Sequence, residues 1–583
     1  MARPFESRIQ DLVYNVEVGV GLRIIKVFLY IVGICIVMVG FMATQFKGFA
    51  SAEAMEYGQL GRNIADGKGF STHVIRPSTM WFLIEHADNP DDNLKHHTPH
   101  VKGVQHPDLY HAPIYPLLLA SFFKATKTNF DQKLTGTHYG PEQYIVIANS
   151  IIAAITGFFI FLLAQRLFDQ RVAIIGTTIY YLSEIVWQDA ITGLPITVAI
   201  FWGVLVFYCA TLAVTNRQEG HHPVRWIFPW LFCTIFMILL FHTRYASAVI
   251  LPGILVYIGV GFRRRGWIWS LLMLVIFVGA MVPWINHNRA ISHSYFGMAP
   301  YNILKGTAMF PGDQFDRTFD IDLASEEKGE KIYPNVREKF MNNFPSYFKT
   351  SPRGLGDSIL ICLFITTFFY RFTRPHVHIM RWCLALSWFI LIFVAALYGE
   401  VAARITSIFW PIAILYGTAF FFLMLDRLAF RVQILSMSVT VLFVLLNAFP
   451  LIFTLFPPQP GIHYPPYAPQ FIFHLTDMLK EDEVICSDMP WATSWYGKKR
   501  SILIPQTLND FYDINDYTHR VSALFLTPLT RNKRYVSELK SGPDRSWFFI
   551  HEGRLPEGWP LRYGFPLLNN ELLFLTDSER WEQ

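Results

Sequence analysis

The sequence predicts an α-helical polytopic membrane protein of about 11 transmembrane helices, followed by a small α/β domain. Long apolar runs, arginine-rich loops between them and a change of pattern past residue 456 support this reading. Of 583 residues, 52% are hydrophobic and only 16% are charged, a balance that fits a multispanning membrane protein. Apolar runs cover 25–45, 144–165, 172–188, 196–214, 226–242, 245–262, 267–285, 355–372, 382–399, 405–425 and 432–453. A hydrocarbon core of about 30 Å takes about 20 helical residues to cross, so each run is long enough or nearly so.

Basic residues orient the runs. Arg3, Arg8, Arg23 and Lys26 flank the first. Arg166 and Arg171, Arg217 and Arg225, then Arg263, Arg264 and Arg265 fill alternate short loops. Arg371, Arg374 and Arg381, and finally Arg427 and Arg431, continue the series, while 189–195 has no basic residue. The N-terminus is therefore expected in the cytoplasm and the C-terminus outside. These loops account for the net charge of +5, which gives no reason to invoke nucleic acid. The first run is too long for a cleaved signal and reads as an anchor. Cys35, Cys209, Cys233, Cys362 and Cys383 fall in apolar runs and Cys486 stands alone, so no disulfide framework is expected. The absence of an Asn-x-Ser/Thr sequon favours a bacterial plasma membrane.

Three long segments are expected on the outer face. The first, 46–143, opens with a predicted amphipathic helix from Ala52 to Asp66, closed by Gly67 and Gly69. It continues to His106-Pro107-Asp108-Leu109-Tyr110 and an apolar stretch, Ala112 to Phe123, too short to span. That stretch is expected along the interface, with Tyr110 and Tyr115 at headgroup level. The second segment, 286–354, is polar and rich in Asp. The third follows a Pro-rich linker at 456–469 and spans 470–583. Its runs 483–488, 501–504 and 523–526 read as strands, with helix-compatible stretches at 490–496 and 508–522, a βαβ-type pattern.

Outer acidic residues near the bilayer suit a donor whose leaving group is a lipid phosphate. Displacement at an anomeric carbon needs a carboxylate to take the acceptor proton, and positive charge to receive the departing phosphate. No GxxxxGK or GxGxxG at a strand–helix junction marks a nucleotide pocket.

The segments Glu53-Ala54-Met55-Glu56-Tyr57 and Leu60-Gly61-Arg62-Asn63-Ile64-Ala65-Asp66-Gly67-Lys68-Gly69-Phe70 resemble the first outer loop of GT-C glycosyltransferases. The likeness is to the protein O-mannosyltransferase and aminoarabinose-transferase-like group. His106 to Pro116 resembles that group's "HPPLYY" segment, Pro283-Trp284-Ile285-Asn286-His287-Asn288 its "PWxxRN" exit, and Arg404 to Pro411 its "RYxxPxxP" entry. Together they cover about residues 25–425 in order. The tail, with Asp488-Met489-Pro490 and Trp495-Tyr496-Gly497, is similar to soluble domains of bacterial members and lacks the "WWDYG" of oligosaccharyltransferases. The chain departs from the pattern in two places. Gly193-Leu194-Pro195 stands where many relatives carry an Asp, with Asp189 as the nearest substitute, and "RN" becomes His287-Asn288-Arg289.

The resemblance implies a GT-C-like catalytic region over 1–455 and an inverting transferase using a polyprenyl-phosphate sugar, of the undecaprenyl kind. The acceptor is a glycan, lipid or protein on the extracytoplasmic face of the cell envelope. Glu53 is the expected base, with Glu56 and Asp189 as further catalytic candidates. Arg404 with Glu400, Arg244, His106, Tyr110 and Tyr57 are the expected substrate contacts. The plainer readings are a helix-start acid for Glu53, a salt bridge for Glu56, an interfacial residue for Asp189, and ion pairs or turn residues for Arg404, Arg244 and His242. No cofactor is required, and a divalent cation is left open. His96, His97, His100, His106 and His111 lack a helical ligand frame, and Asp313, Asp316, Asp320 and Asp322 lack a calcium loop's Gly and terminal Glu, so both groups read as solvated loop. A polysaccharide ligase is the alternative on a related fold. A lipid or sugar transporter or flippase would want midplane charges and inverted repeats, which the sequence does not display.

Overall fold

The computed structural model describes residues 20–85, 105–131, 139–319, 321, 326–354, 359–399, 404–428, 430, 432–456, 469–532, 536–542, 544–567 and 571–581. Arg3, Arg8, His96, His97, His100, Asp320, Asp322, Glu400, Arg431 and residues 457–468 of the linker lie outside the described residues.

In chain order the helices that matter are α1 (Val20–Gln45), α2 (Ala52–Ala65), α3 (Ile114–Thr126), α4 (Gly140–Leu167), α5 (Gln170–Tyr181), α6 (Glu184–Ile191), α7 (Ile196–Gln218), α8 (Val224–Thr243), α9 (Ile250–Gly261), α10 (Gly266–Ser292), α11 (Glu326–Gly354), α12 (Ile359–Thr367), α13 (Pro375–Tyr398), α14 (Trp410–Arg427), α15 (Gln433–Leu455) and α16 (Pro490–Trp495). Among the described residues, eight helices are long and apolar enough to cross a bilayer: α1, α4, α7, α8, α10, α13, α15, and α14 with its 3-10 lead from Arg404. The other three predicted runs are shorter. The 172–188 run breaks after Tyr181 into α5 and α6, and Trp187 Nε1 donates to the Tyr181 carbonyl (2.7 Å) across the break. The 245–262 run starts as a 3-10 turn, Tyr245–Val249, before α9. The 355–372 run is helical in its described part only over Ile359–Thr367.

The arginine-rich loops meet at one end of the bundle. Arg166 donates to Thr215 Oγ1 (3.0 Å) and Asn216 Oδ1 (2.6 Å), and Arg217 donates to the Arg264 carbonyl (3.2 Å). Arg374 donates to the Phe168 carbonyl (2.7 Å), and Arg171 pairs with Asp426 (3.1 Å). At the other end lie the Arg244 break, the Arg404 lead and the long connections after α1 and α10. Helices α7 and α14 are mostly buried between their neighbours, whereas α1 and α15 expose most of their apolar surface.

Helix α2 differs from the amphipathic interface helix expected of it. It ends as predicted, with left-handed Gly67 (φ 78°) and Gly69 (φ 69°). Yet residues 54–63 are buried on every side, Glu56, Gln59, Arg62 and Asn63 included. Its polar groups bond to protein instead of water: Gln59 Oε1 accepts from Thr72 Oγ1 (3.1 Å) and the His73 N–H (3.1 Å), and Asn63 donates to the Ser71 carbonyl (2.8 Å). The stretch after Tyr110 also turns inward. Tyr115, on α3, is buried, donates to the Gly193 carbonyl (2.7 Å) and accepts from Asn149 (3.2 Å). Neither Tyr110 nor Tyr115 is a headgroup anchor, because each hydroxyl has an internal partner.

The tail contains β4 (Val484–Ser487), β5 (Arg500–Leu503), β6 (Val521–Leu526), β7 (Tyr563–Leu567) and β8 (Leu572–Thr576). The connection between α1 and α4 supplies three short strands, β1 (Ser71–Thr72), β2 (Val74–Ile75) and β3 (His106–Pro107). The large sheet has the order β2-β5-β4-β6-β8-β7, parallel from β2 to β6 and antiparallel beyond. Its edge strand β2 thus comes from the connection between α1 and α4, so the tail's sheet is completed by the membrane region. The 508–522 stretch is helical over Leu508–Asp513, continues as a wide turn to Thr518, and enters β6 at Val521.

A buried carboxylate fastens the two parts. Glu142, in the first turn of α4, accepts from Trp495 Nε1 (2.9 Å), Tyr496 Oη (2.7 Å) and the Phe49 N–H (3.2 Å). Arg62 donates to the carbonyls of Trp495 (2.9 Å) and Ser494 (2.7 Å). A Cβ on Gly58 would stand 3.0 Å from the Trp495 ring, so the missing side chain lets α16 sit against α2.

Candidate active site

A cavity of about 700 Å³ lies at the end of the bundle opposite the arginine-rich loops, beside the connection between α1 and α4. One wall is charged, with Glu53, Glu56, Arg76, Arg244, Lys305 and Asp316. The other is apolar, with Phe241, Val249, Phe296, Val394 and Tyr398 from the helix ends. Pro490, Trp491 and Leu503 of the tail close part of the rim.

Glu53 stands in the first turn of α2, where the helix N-terminus favours a negative charge. Arg244 Nη2 lies 3.4 Å from its Oε1 and Arg404 Nη1 3.4 Å from its Oε2. Arg244 is buried at the extended break after α8, and Arg404 is exposed at the start of its 3-10 turn. Three segments far apart in sequence therefore meet at one carboxylate. Both contacts are longer than the 2.7–2.9 Å of a tight charge-assisted bond.

Glu56 is held differently. Arg76 Nη2 donates to both its oxygens (2.6 and 2.7 Å), and His111 Nε2 lies 3.3 Å away. His111 Nδ1 is 2.9 Å from Asp108 Oδ2, and Asp108 Oδ1 also accepts the backbone N–H groups of Tyr110 (3.1 Å) and His111 (2.8 Å). Burial disfavours charge on His111, but Asp108 and then Glu56 outweigh it and hold its pKa above the ordinary value. Burial likewise works against Asp108, but the neighbouring His111 keeps its pKa low.

Tyr110 joins this network to the segment that follows α10. Its hydroxyl donates to Asp316 Oδ1 (2.8 Å), and its ring lies under Arg76 (4.3 Å) and Lys305 (4.7 Å). Lys305 Nζ donates to Asp316 Oδ2 (2.7 Å). Asp316 is thus not the solvated loop residue expected, because two cations and a phenol compensate its burial. Asp313 is exposed, although it also lines the cavity. Tyr57 packs edge-on against His111 (4.5 Å) and Tyr115 (5.2 Å). Trp284 of the "PWxxRN"-like segment donates to Tyr245 Oη (2.6 Å) at the cavity wall.

Among the predicted residues, Glu53, Glu56, Tyr57, Tyr110, Arg244 and Arg404 come together, all but Arg404 lining the cavity. His106 does not. It pairs with Thr72 in the β1–β3 ladder, and burial, then nearby His519, pushes its pKa down to about 3, so it is a neutral structural histidine. His242 is buried beside Phe241 and does not line the cavity. Asp189 lines a small separate cavity with Ser407 and Trp410, where burial pushes its carboxyl up to about 7 against the opposing charges of Arg404 and Arg244. Sequence reasoning missed Arg76, Asp108, Lys305 and Asp316. A basic residue directly after a strand-like Val-Ile pair was the only available signal for Arg76. Among the described residues, no group of three His, Cys, Asp or Glu side chains is placed to hold a metal.

No known family profile matches the chain, and no curated protein sequence does. Solved structures do resemble it. A zinc- and sulfate-complexed oligosaccharyltransferase from Archaeoglobus fulgidus aligns over 89% of this chain and 70% of its own, with TM-score 0.55 at 13% identity. The same enzyme tethered to an acceptor peptide gives TM-score 0.54 at 13% identity, covering 95% and 74%. ArnT from Cupriavidus metallidurans bound to undecaprenyl phosphate gives TM-score 0.51 at 10% identity, covering 95% and 98%. The chain has the fold of these membrane glycosyltransferases, the GT-C fold.

The signs of the two pKa shifts define a stability window. The raised His111 pKa contributes stability that is complete below its unfolded value and is lost as pH rises through the folded one. The lowered Asp108 pKa contributes above its unfolded value and is lost as pH falls. Thermal unfolding in detergent from about pH 6 to 9 should show His111→Gln less stable than the parent at the acid end, with the gap closing as pH rises. A gap independent of pH would mean that His111 is not held charged.

Proposed function

We propose that this chain is an inverting glycosyltransferase that moves a sugar from a polyprenyl-phosphate carrier to an acceptor on the extracytoplasmic side of a bacterial plasma membrane. The observation that carries this reading is Glu53, loosely held between Arg244 and Arg404, where a charged wall meets an apolar one. A lipid-linked sugar phosphate has this same division, with an anionic, hydroxyl-rich head on a hydrocarbon tail. The GT-C neighbours bound to undecaprenyl phosphate or an acceptor peptide support donor and acceptor classes of this kind.

The donor's phosphate sits at Arg404 and Arg244, with its lipid along Phe241, Val249 and Val394. An acceptor hydroxyl approaches the anomeric carbon from the face opposite the phosphate. As the new C–O bond forms, the bond to phosphate breaks and its electron pair leaves with the phosphate. The hydroxyl proton passes to Glu53. The two arginines move from carboxylate to phosphate as charge grows there, which their 3.4 Å contacts permit. Glu56 is committed to Arg76 and His111 and shapes the pocket instead. Asp189 acts through Arg404 and Arg244 as a positioning residue. Tyr57 and Tyr110 complete the sugar's surroundings. Glu400 is assigned to orient Arg404, and His106 has only a structural part. A divalent cation remains an open addition whose ligands this arrangement does not name.

Transfer from a polyprenyl-phosphate hexose by purified protein should fall about 10²–10⁴-fold in Glu53→Gln, the usual worth of a positioned general base. Arg404→Ala should lose productive use of the donor while keeping detergent stability. Near-normal transfer by Glu53→Gln, with Glu56→Gln or Asp189→Asn inactive, would assign the base to another carboxylate. The proposed sidedness is open to labelling: cysteines at Lys68 or Glu557, both exposed, should react with an impermeant thiol reagent on intact cells, and one at His222 should not. The reverse pattern would invert the orientation.

A further inference from the structure

A second cavity, of about 470 Å³, lies at the basic end of the bundle, away from Glu53. Its walls include Val172 of α5 and Phe422 of α14, with Arg171, Arg374 and Arg427 around it and Asp169 and Asp426 between them. The two carboxylates are already engaged. Arg171 donates to both oxygens of Asp426 (3.2 and 3.1 Å), and Asp169 caps α5 by accepting the Val172 N–H (2.9 Å).

The other two arginines keep unused donors. Arg374 spends Nη1 on the carbonyls of Leu167 (3.1 Å) and Phe168 (2.7 Å). Arg427 rests against the Tyr370 ring at 5.4 Å, and among the described residues no acceptor takes its N–H groups. Val172, Val377 and Phe422 give the cavity an apolar wall, and Ile174, two residues from Val172 on α5, is an exposed apolar side chain beside it. A free phosphate would use the arginines and leave that wall empty. An anionic lipid uses both, and the basic loops place this end beside the leaflet surface.

We propose that this cavity binds an anionic glycerophospholipid, with the phosphate at Arg374 and Arg427 and an acyl chain along Val172 and Phe422. The site is independent of the transfer chemistry and does not depend on the proposed donor.

Delipidated full-length protein in detergent would be titrated with phosphatidylglycerol or phosphatidylcholine, and retained lipid read by native mass spectrometry. Phosphatidylglycerol should be retained preferentially, and Arg427→Gln should weaken its retention about fivefold, the worth of one arginine at a lipid surface. Arg427 is exposed and, among the described residues, its side chain makes only the ring contact, so the variant should keep its fold. On the unmodified chain, about 0.5 M salt should reduce the preference. Equal retention of the two lipids, a salt-independent preference, or unchanged retention by Arg427→Gln would overturn the proposal. So would displacement of phosphatidylglycerol by millimolar inorganic phosphate, which would make this a soluble-anion site.

Discussion

Helix α2 carries two carboxylates into surroundings largely shielded from water, and compensating that burial organises the structure around it. Glu56 at 4% exposure needs a cation and a second donor, and takes them from Arg76 and His111. Arg76 immediately follows β2, so the ion pair also fixes where the connection between α1 and α4 enters the sheet. His111 brings Asp108, and Arg76 brings Tyr110 and Asp316. What begins as charge compensation becomes the frame of the cavity. Glu53, one helical turn earlier, shares the helix without sharing the tight pairing. That difference separates a carboxylate locked in a short ion pair from one in longer contact with its cations.

The same logic binds the tail to the membrane region. Glu142 is buried at the start of α4, and three donors from two other segments converge on it. Leaving any of them unpaired in the interior would cost about 1–3 kcal/mol. The tail is thereby held where Pro490 and Trp491 reach the cavity rim. A domain that seemed appended in the linear sequence is part of the site's enclosure.

Much of this was legible beforehand because hydrophobic length and arginine placement are local signals. The spans, the basic end, the ends of α2 and the strands β4 to β6 all follow from patterns within a few residues of each other. Glu53 and Arg404 stood out because their segments resemble GT-C motifs, and Arg244 because charge beside an apolar run is costly; the structure brings the three together. Partnerships between distant segments could not be read this way. Nothing in Val74-Ile75 announces a strand that completes a sheet some four hundred residues later. Nothing near Asp316 separates it from exposed Asp313 until Lys305 and Tyr110 are in place. His106 misled because its neighbours resemble a functional segment, while its own ring is consumed by burial in the β1–β3 ladder.

The central claim is a single displacement at the anomeric carbon, with one carboxylate opposite a phosphate held by two arginines. The configuration of the transferred sugar tests it most directly. Purified protein given a polyprenyl-phosphate hexose of defined anomeric configuration as sole donor would be followed by NMR of the anomeric proton in the product. The account predicts transfer with the configuration inverted. Transfer with retention would contradict it, since that requires a second displacement and a covalent intermediate.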